Sequence, residues 1–305
     1  MRLPFCFLSA LLLVSFSFHA CSKSGSEKAI IQKPNPYWYQ SKAEVNGYTL
    51  KEQRYGVMRD GYVVLIFVTE DFLTSKNVKN ESYVDKSSVP VFKCNMKKHF
   101  VTGMYDYTLM SSVFSPANAP LDHPYKVSSS NLDWCGHEWL QVNRKGNNLE
   151  LEQFSYFEKE ADRKLSLTSC LQEDELFNLI RLCPNQIPTG LQKMLPSTQY
   201  LMIQHWPIEA VDVDIKNMEY KGSDFSIDNT KCLQVLMPSL NRELNIVYEN
   251  NPPYKILGWT DNFPNKEGDI MKSIAKLKES MLEDYWNKNG KAYESLRIVL
   301  GVKEE

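Results

Sequence analysis

Stretches of alternating apolar and polar residues, separated by turn signals, recur over most of this chain from Tyr37 onward. Met104–Val113 alternates in this way, and residues 144–148 join Trp139–Asn143 to Leu149–Tyr156 as a predicted hairpin. Asp60-Gly61 has the form of a hairpin turn before another strand. Further strands are predicted at Tyr62–Thr69, Val211–Ile215, Leu244–Tyr248 and Tyr254–Trp259. Because such alternation buries one face of a strand, the pattern predicts a large antiparallel sheet or an open half-barrel.

Helical patterns interrupt these strands at a few places. Ser169–Gln172 fits a capping box, and the helix that it begins would end before Pro184. A second helix is predicted over roughly Asp269–Asn289, with Lys and Glu opposite an apolar stripe. That stripe consists of Ile270, Ile274, Leu277, Met281 and Tyr285. A last short helix is predicted at Ala292–Leu300. The expected fold class is therefore α+β and mainly β, with one embedded helix and a C-terminal helical tail.

The N-terminus has the form of an export signal. Leu3–Phe18 is almost wholly apolar, follows Arg2, and leads to Ala20-Cys21. A cysteine directly after the cleavage site is typical of a bacterial lipoprotein, in which that cysteine carries the lipid. The residues before Cys21, Phe18 and His19, depart from the usual pattern. Cleavage after Ser22 and an uncleaved membrane anchor therefore stay open as alternatives.

The predicted organisation follows from these patterns. Residues 1–20 are the signal peptide, and residues 21–36 carry the lipidated cysteine and a polar tether. Residues 37–264 form a β-rich domain, and residues 265–305 form a C-terminal helical segment that packs on it. The predicted location is the periplasmic side of a bacterial membrane, with the outer membrane favoured over the inner one.

Net charge and cysteine content restrict the partners and the disulfides that this chain is expected to have. The formal net charge of −2 gives no long-range field, so nucleic acid is not expected as a partner. Beyond Cys21, five cysteines remain, and we expect buried free thiols with one disulfide at most. They are Cys94, Cys135, Cys170, Cys183 and Cys232. No metal or cofactor is predicted.

The segment Trp134–Trp139 has the densest set of reactive side chains in the chain. Cys135, His137 and Glu138 form the candidate functional segment, in which Cys135 and His137 would act as a metal pair or as a thiol with its base. The interpretation that we favour is a turn into a strand, flanked by two buried tryptophans. Asp122 and His123 are the nearest residues in sequence that could complete a site. Asp212 and Asp214 are interpreted as solvated strand positions rather than a catalytic pair.

Several segments together resemble a family of bacterial envelope lipoproteins that has no established activity. They are Tyr37–Gln40, Val68–Phe72, Trp134–His137, Pro188–Gly190 and Leu296–Gly301, and the resemblance covers most of the mature chain. Members often carry the label "septum formation inhibitor Maf". True Maf proteins are cytoplasmic nucleotide pyrophosphatases with a Ser-x-Ser-Pro-Arg-Arg loop, which this chain lacks. The resemblance therefore implies envelope location and carries over no catalytic residue.

The sequence thus predicts a non-enzymatic lipoprotein, held at the membrane by the lipid on Cys21, whose β-rich fold binds an apolar ligand or an envelope protein. The alternative is an envelope hydrolase that uses the Cys135–Glu138 segment. An apolar cavity of ligand size would favour the first function. Convergence of Asp122, His123 or another acid on His137 in an open cleft would favour the second.

Replacing the predicted lipidation residue tests the anchor. Cys21→Ser should release the protein from the membrane fraction or leave it unprocessed, because each buried CH₂ of an acyl chain contributes about 0.8 kcal/mol to anchoring. Fractionation and mass spectrometry of the N-terminus measure both outcomes. A correctly cleaved variant that stays with the membrane would contradict the prediction.

Overall fold

One β-sheet contains every strand of the residues that the structure describes. The computed structural model describes residues 35–302, and three short α-helices accompany the sheet there. The strands are β1 (Ala43–Arg54), β2 (Val57–Leu73), β3 (Val78–Lys79), β4 (Val89–Thr102), β5 (Tyr105–Pro116), β6 (Lys126–Leu132), β7 (His137–Lys145), β8 (Asn148–Phe154), β9 (Arg163–Thr168), β10 (Leu171–Gln172), β11 (Gly190–Leu195), β12 (Val211–Glu219), β13 (Thr230–Met237), β14 (Arg242–Glu249), β15 (Ile256–Pro264) and β16 (Ile270–Glu283). The helices are α1 (Leu176–Leu182), α2 (Thr198–Gln204) and α3 (Ser295–Val299).

The strands follow one another as a meander whose first and last members pair. β1 lies between β2 and β16, and it is antiparallel to both. The two edges of the sheet are β9 and β10, which are joined by the two residues Ser169 and Cys170. Because consecutive Cα atoms are about 3.8 Å apart, so short a link holds the end of one edge strand close to the start of the other. The sheet must therefore curl strongly, which confirms the mainly β, open antiparallel fold that the sequence predicts.

The curl gives the sheet an inner face and an outer face. Inward side chains such as Leu65, Phe92 and Leu109 form the main core, onto which α1 and α2 pack. On the outer face, Val45 and Tyr62 belong to a smaller apolar cluster that also includes Leu300 and Val302. The larger core thus lies on the inner face, where two helices are embedded rather than the one that the sequence predicts.

Helix α1 is confirmed, although its start differs from the prediction. The capping box joins Gln172 and Glu175, three residues after the predicted pair Ser169 and Gln172. Residues 173–175 form a 3₁₀ turn, and Pro184 follows the last residues of the helix. The Ser169 side chain does not cap the helix because the two-residue strand β10 intervenes.

Helix α2 is a feature that sequence reasoning missed. Ser197 caps its first turn by accepting a hydrogen bond from the Tyr200 amide at 3.1 Å. Six of its seven residues are buried, Thr198–Ile203, so it lacks the polar face of a surface helix. The available signal was the N-cap serine after Pro196, whereas the helix is too short for a periodic pattern.

The predicted helix over Asp269–Asn289 is wrong, because strand β16 occupies Ile270–Glu283. The stripe from Ile270 to Met281 matches helical spacing, and Lys, Glu and Leu are good helix formers. A helix here would leave β1 and β15 without the hydrogen-bonding partner that β16 supplies to both. Pairing in the sheet overrides the local preference. Consequently Ile270–Glu283, within the predicted C-terminal helical segment 265–305, belongs to the sheet instead.

The predicted hairpin turn at Asp60-Gly61 is also wrong. Strand β2 runs straight through both residues, and the hairpin turn is Tyr55-Gly56, where both residues have positive φ. Gly61 is required for a different reason: a Cβ there would overlap the backbone carbonyl of His99 on the neighbouring strand β4. Glycine in this strand therefore marks a close approach of two backbones rather than a turn.

The last described residues return to the outer face of the sheet. Helix α3 lies within the predicted segment Ala292–Leu300, and Leu300 and Val302 are buried against the outer cluster. Gly47 permits this contact, because a Cβ at that position would overlap the Leu300 carbonyl. Within residues 35–302, no helix combines the length and apolar character that crossing a membrane requires.

Enlarging Gly47 tests the docking of the C-terminal segment. Gly47→Ala should lift Leu300 from β1 and lower the free energy of unfolding by about 1–3 kcal/mol, the usual effect of overpacking. Urea unfolding measures the loss, and hydrogen exchange should become faster in residues 295–302. Gly290→Ala is the matched control, because a Cβ there meets no atom within 4 Å. Equal stability of both variants would contradict this packing.

Candidate functional site

The inner face of the sheet leaves little room for a ligand. Helices α1 and α2 fill it, and the remaining cavity has a volume of about 60 Å³. Its lining mixes apolar residues such as Phe177 and Trp259 with charged ones such as Glu52 and Arg242. Ligand pockets are typically on the order of 300–1,000 Å³, so this cavity has room for a few water molecules. The apolar, ligand-sized cavity that the sequence interpretation requires is therefore not inside the curl.

A buried arginine binds two carboxylates beside this cavity. Arg242 contacts both oxygens of Glu173 at 2.7 Å and both oxygens of Asp261 at 2.7 and 2.8 Å. Its guanidinium also lies 4.0 Å from the centre of the Tyr200 ring. Burial lowers the pKa of Arg242, but the two carboxylates more than offset this and raise it above its ordinary value. With its donors engaged, Arg242 ties β14 and β15 to the turn before α1, which is a structural role.

Asp174 is a second buried acid at this place. Its Oδ2 atom accepts a hydrogen bond from the Thr198 amide at 2.8 Å, so it stabilises the start of α2. Burial raises the pKa of Asp174 to about 7, and the neighbouring Glu173 adds to the increase. Asp174, despite its raised pKa, therefore has a structural role at the start of α2.

The N-terminal aromatic residues of the described chain dock inward. Trp38 is buried against Phe92, with ring centres 4.6 Å apart, and Tyr37 donates a hydrogen bond to Glu44 at 2.6 Å. Glu44 also pairs with the buried Arg181 of helix α1 at 2.6 Å. Arg181 in turn lies 4.9 Å from the centre of the Trp38 ring. These residues fasten the start of the chain to the inner core rather than form a binding surface.

A hollow of ligand size lies on the outer face of the sheet, and we name it the outer groove. It has a volume of about 740 Å³ and crosses β16, β1 and β2 beside the C-terminal segment. Cross-strand neighbours Thr49 and Lys276, and likewise Lys51 and Ile274, contribute to its lining. Its apolar lining comes from Ile274, Ile298 and Val302. Apolar side chains thus line a hollow of ligand size on the surface of the sheet.

Positive charge predominates in the outer groove. Four lysines line it against two aspartates: Lys51, Lys272, Lys276 and Lys278, with Asp60 and Asp224. Lys51 and Lys272 form the ion pairs with these aspartates, at 2.6 and 3.0 Å. Lys276 lies over the Phe225 ring, 5.8 Å from its centre, and Lys278 donates to the Ile298 carbonyl at 3.0 Å. The groove therefore presents apolar surface together with ammonium groups that have no carboxylate bound to them.

A second hollow of about 580 Å³ adjoins the outer groove across β12–β16. The two hollows share Asp224 and Lys272, and Phe225 lines the second one. Gly258 permits this position of the Phe225 ring, because a Cβ there would overlap it. The Tyr220 hydroxyl accepts hydrogen bonds from the amides of Asp224 and Phe225, at 3.0 and 3.3 Å, and so holds this loop. The outer face therefore has a second hollow beside the outer groove.

The structure separates the members of the predicted segment Cys135–Glu138. Cys135 is exposed in the turn before β7 and His137 is exposed at the first position of that strand, whereas Glu138 is 1% exposed and faces inward. The prediction of two buried tryptophans is wrong, because Trp134 is exposed and hydrogen-bonds Asp106 at 3.0 Å, and Trp139 is half-buried. The alternation of β7 explains this, since Glu138, Leu140 and Val142 take the inward positions.

The other sequence candidates lie apart from His137. His123 Nδ1 lies 2.8 Å from Oε1 of the buried Glu175, which belongs to the turn before α1. Asp212 pairs with Lys193 at 2.8 Å and Asp214 with Lys216 at 3.4 Å, so both are strand positions with salt-bridge partners. The five described cysteines are free thiols, and Cys135 is the exposed one, contrary to the expectation of burial.

Glu138 instead joins two residues that sequence reasoning missed, Glu160 and His205. One ligand atom from each lies within 4.8 Å of the others, which is a spacing that a metal ion can bridge. The three residues come from β7, from the segment after β8 and from the residue after α2, so no local spacing links them. No protein-family model matches the chain, and no curated protein is significantly similar to it.

Asp174 gives a pH-dependent test of the buried acids. Its pKa is about 7 in the folded protein against 3.8 as the ordinary value, so folding is penalised increasingly as pH rises between these values. Each pH unit in this window costs about 1.4 kcal/mol. Asp174→Asn should therefore gain stability relative to wild type from about pH 4 to pH 7 in urea unfolding. Asp212→Asn, at an exposed position, is the control, and parallel wild-type and Asp174→Asn curves would refute the assignment.

Proposed function

We propose that this protein is an exported lipoprotein, anchored to a bacterial membrane through Cys21, that binds an anionic amphiphile in the outer groove. A fatty acid is the simplest such ligand. The observation that carries the proposal is the combination of an apolar lining with four lysines in one hollow of about 740 Å³. A ligand pocket of this volume falls within the usual range.

The two parts of the groove match the two parts of an amphiphile. Ile274, Ile298 and Val302 offer apolar surface to a hydrocarbon chain, and each CH₂ removed from water contributes about 0.8 kcal/mol. Lys276 and Lys278 offer ammonium groups to a carboxylate or phosphate. A neutral apolar ligand would gain only the first contribution, which is why we favour an anionic one.

The predicted lipid on Cys21 agrees with the same function. The anchor would hold the groove at the surface from which membrane amphiphiles exchange, so that ligand and protein meet at high local concentration. The resemblance to envelope lipoproteins agrees with this location. We also propose that the protein lies on the periplasmic side of the outer membrane.

No catalytic role is part of this proposal. Cys135 lies in the exposed turn before β7, His137 is exposed at the first position of β7, and His123 is engaged with Glu175. The geometry that would favour a hydrolase is convergence of an acid or of His123 on His137, and the contacts of His123 point elsewhere.

Binding of a fluorescent fatty acid to the mature chain without its lipid tests the proposal. Ile274→Glu and Lys276→Glu should each weaken binding at least about ten-fold, equivalent to 1.4 kcal/mol, because they place negative charge where the ligand's chain and head group lie. Lys145→Glu is the matched control, since Lys145 is an exposed lysine of the β7–β8 hairpin.

The native ligand can be sought in the same variants. Mass spectrometry of the lipids that co-purify with the full chain should show an anionic amphiphile with wild type and with Lys145→Glu, and a loss of it with Ile274→Glu. Equal affinity in all variants, or stronger binding of a neutral fatty alcohol than of the fatty acid, would refute the proposal.

A further inference from the structure

Glu138, Glu160 and His205 form a compact set of metal-ligand groups, which we name the carboxylate–histidine cluster. His205 Nδ1 lies 2.9 Å from Glu160 Oε1, and one ligand atom of each residue lies within 4.8 Å of the others. Burial decreases outward, from Glu138 at 1% exposed to His205, whose side chain is 40% exposed. The cluster thus has a buried floor and an opening to solvent, as an ion needs for entry.

Hydrogen bonds from neighbouring residues hold the ligand atoms in place. Asn131 Nδ2 donates to Glu138 Oε2 at 2.8 Å, and the Ser155 hydroxyl donates to Glu160 Oε2 at 2.6 Å. The Phe157 ring packs against the His205 ring, with centres 4.4 Å apart. Outer contacts of this kind orient the ligands of known metal sites. The carboxylates are therefore positioned before any ion binds.

Asn131 gives an independent indication of a ligand. Its side chain is 4% exposed, its amide nitrogen points to Glu138, and its Oδ1 atom has no hydrogen-bond partner among the described residues. A buried carbonyl oxygen without a partner costs roughly 1–3 kcal/mol. An ion, or water bound to an ion, beside Glu138 would provide that oxygen with a partner.

The two carboxylates also favour a cation. Two carboxylates at this distance repel each other when both are ionised, and a divalent ion between them removes that repulsion.

We propose that the carboxylate–histidine cluster binds one Zn²⁺ ion. Two carboxylate oxygens and one imidazole nitrogen are ligands that zinc accepts, and water supplies the fourth position. Imidazole selects against Mg²⁺ and Ca²⁺, which prefer oxygen ligands alone. His205 follows α2, Glu138 lies in β7 and Glu160 follows β8, so the ion would fix the embedded helix to this side of the sheet.

Zinc titration of the full chain, purified in detergent and first stripped with a chelator, tests the site. Calorimetry should show one Zn²⁺ bound per chain, and the melting temperature should rise with zinc concentration, since an ion that binds only the folded state stabilises it. Glu138→Gln and His205→Ala should each weaken zinc binding by about ten-fold or more.

Two controls separate this site from the exposed residues nearby. Cys135→Ser and His137→Ala remove the other zinc-binding groups of the segment and should leave the affinity unchanged. X-ray absorption of the zinc complex should show nitrogen and oxygen ligands without sulfur. Circular dichroism in the presence of a chelator checks that Glu138→Gln and His205→Ala fold. If one of these variants fails to fold, Glu160→Gln is measured in its place.

Three results would overturn the proposal. These are the absence of stoichiometric zinc binding at micromolar concentrations, zinc affinity lost with Cys135→Ser or His137→Ala, and tighter binding of Mn²⁺ or Ca²⁺ than of Zn²⁺. Each outcome is independent of amphiphile binding, because the cluster and the outer groove share no residue.

Discussion

Strand β1 hydrogen-bonds to β2 on one side and to β16 on the other, so residues 43–51 pair with residues 274–283 from the far end of the chain. Both halves of the meander depend on this pairing, because β1 and β16 are the only strands through which they join in one sheet within residues 35–302. The curl that follows defines the inner face, where α1 and α2 complete the core. It also brings Leu300 over Gly47 and so forms one wall of the outer groove.

Because the interior of the curled sheet is filled, we expect a ligand to bind on the outer face. Ion pairs such as Arg242 with Glu173 and Arg181 with Glu44 occupy the inner face together with the helices, and they fix the packing of that face. A ligand inside would have to displace these contacts, which are costly to break once buried. The outer groove needs no such displacement. Its lysines lie at the surface, where they can exchange water for a ligand's charged group.

The sequence predicts the sheet well because alternation reports burial directly. β5, β7, β8, β12 and β14 were found in this way, and each has one face on the core. The sequence does not predict β16, because its residues favour a helix. Hydrogen bonding to the neighbouring strands β1 and β15 makes this segment a strand. For the candidate sites, the sequence singled out Glu138 but paired it with Cys135 and His137. The contacts with Glu160 and His205 and the hollow beside Ile274 arise from long-range folding, which no local spacing shows.

The position of β16 has a consequence for how the chain folds. Until residues 270–283 are available, β1 presents a free edge of backbone amides and carbonyls next to β2. A free edge of this kind can pair with another unfinished chain, and pairing between distant segments is slow. Whether the polypeptide emerges from a ribosome or from a membrane channel, its sheet cannot be completed until residues 270–283 have emerged. A factor that shields β1 during that interval would therefore protect the yield of folded protein more than one that acts on the finished molecule.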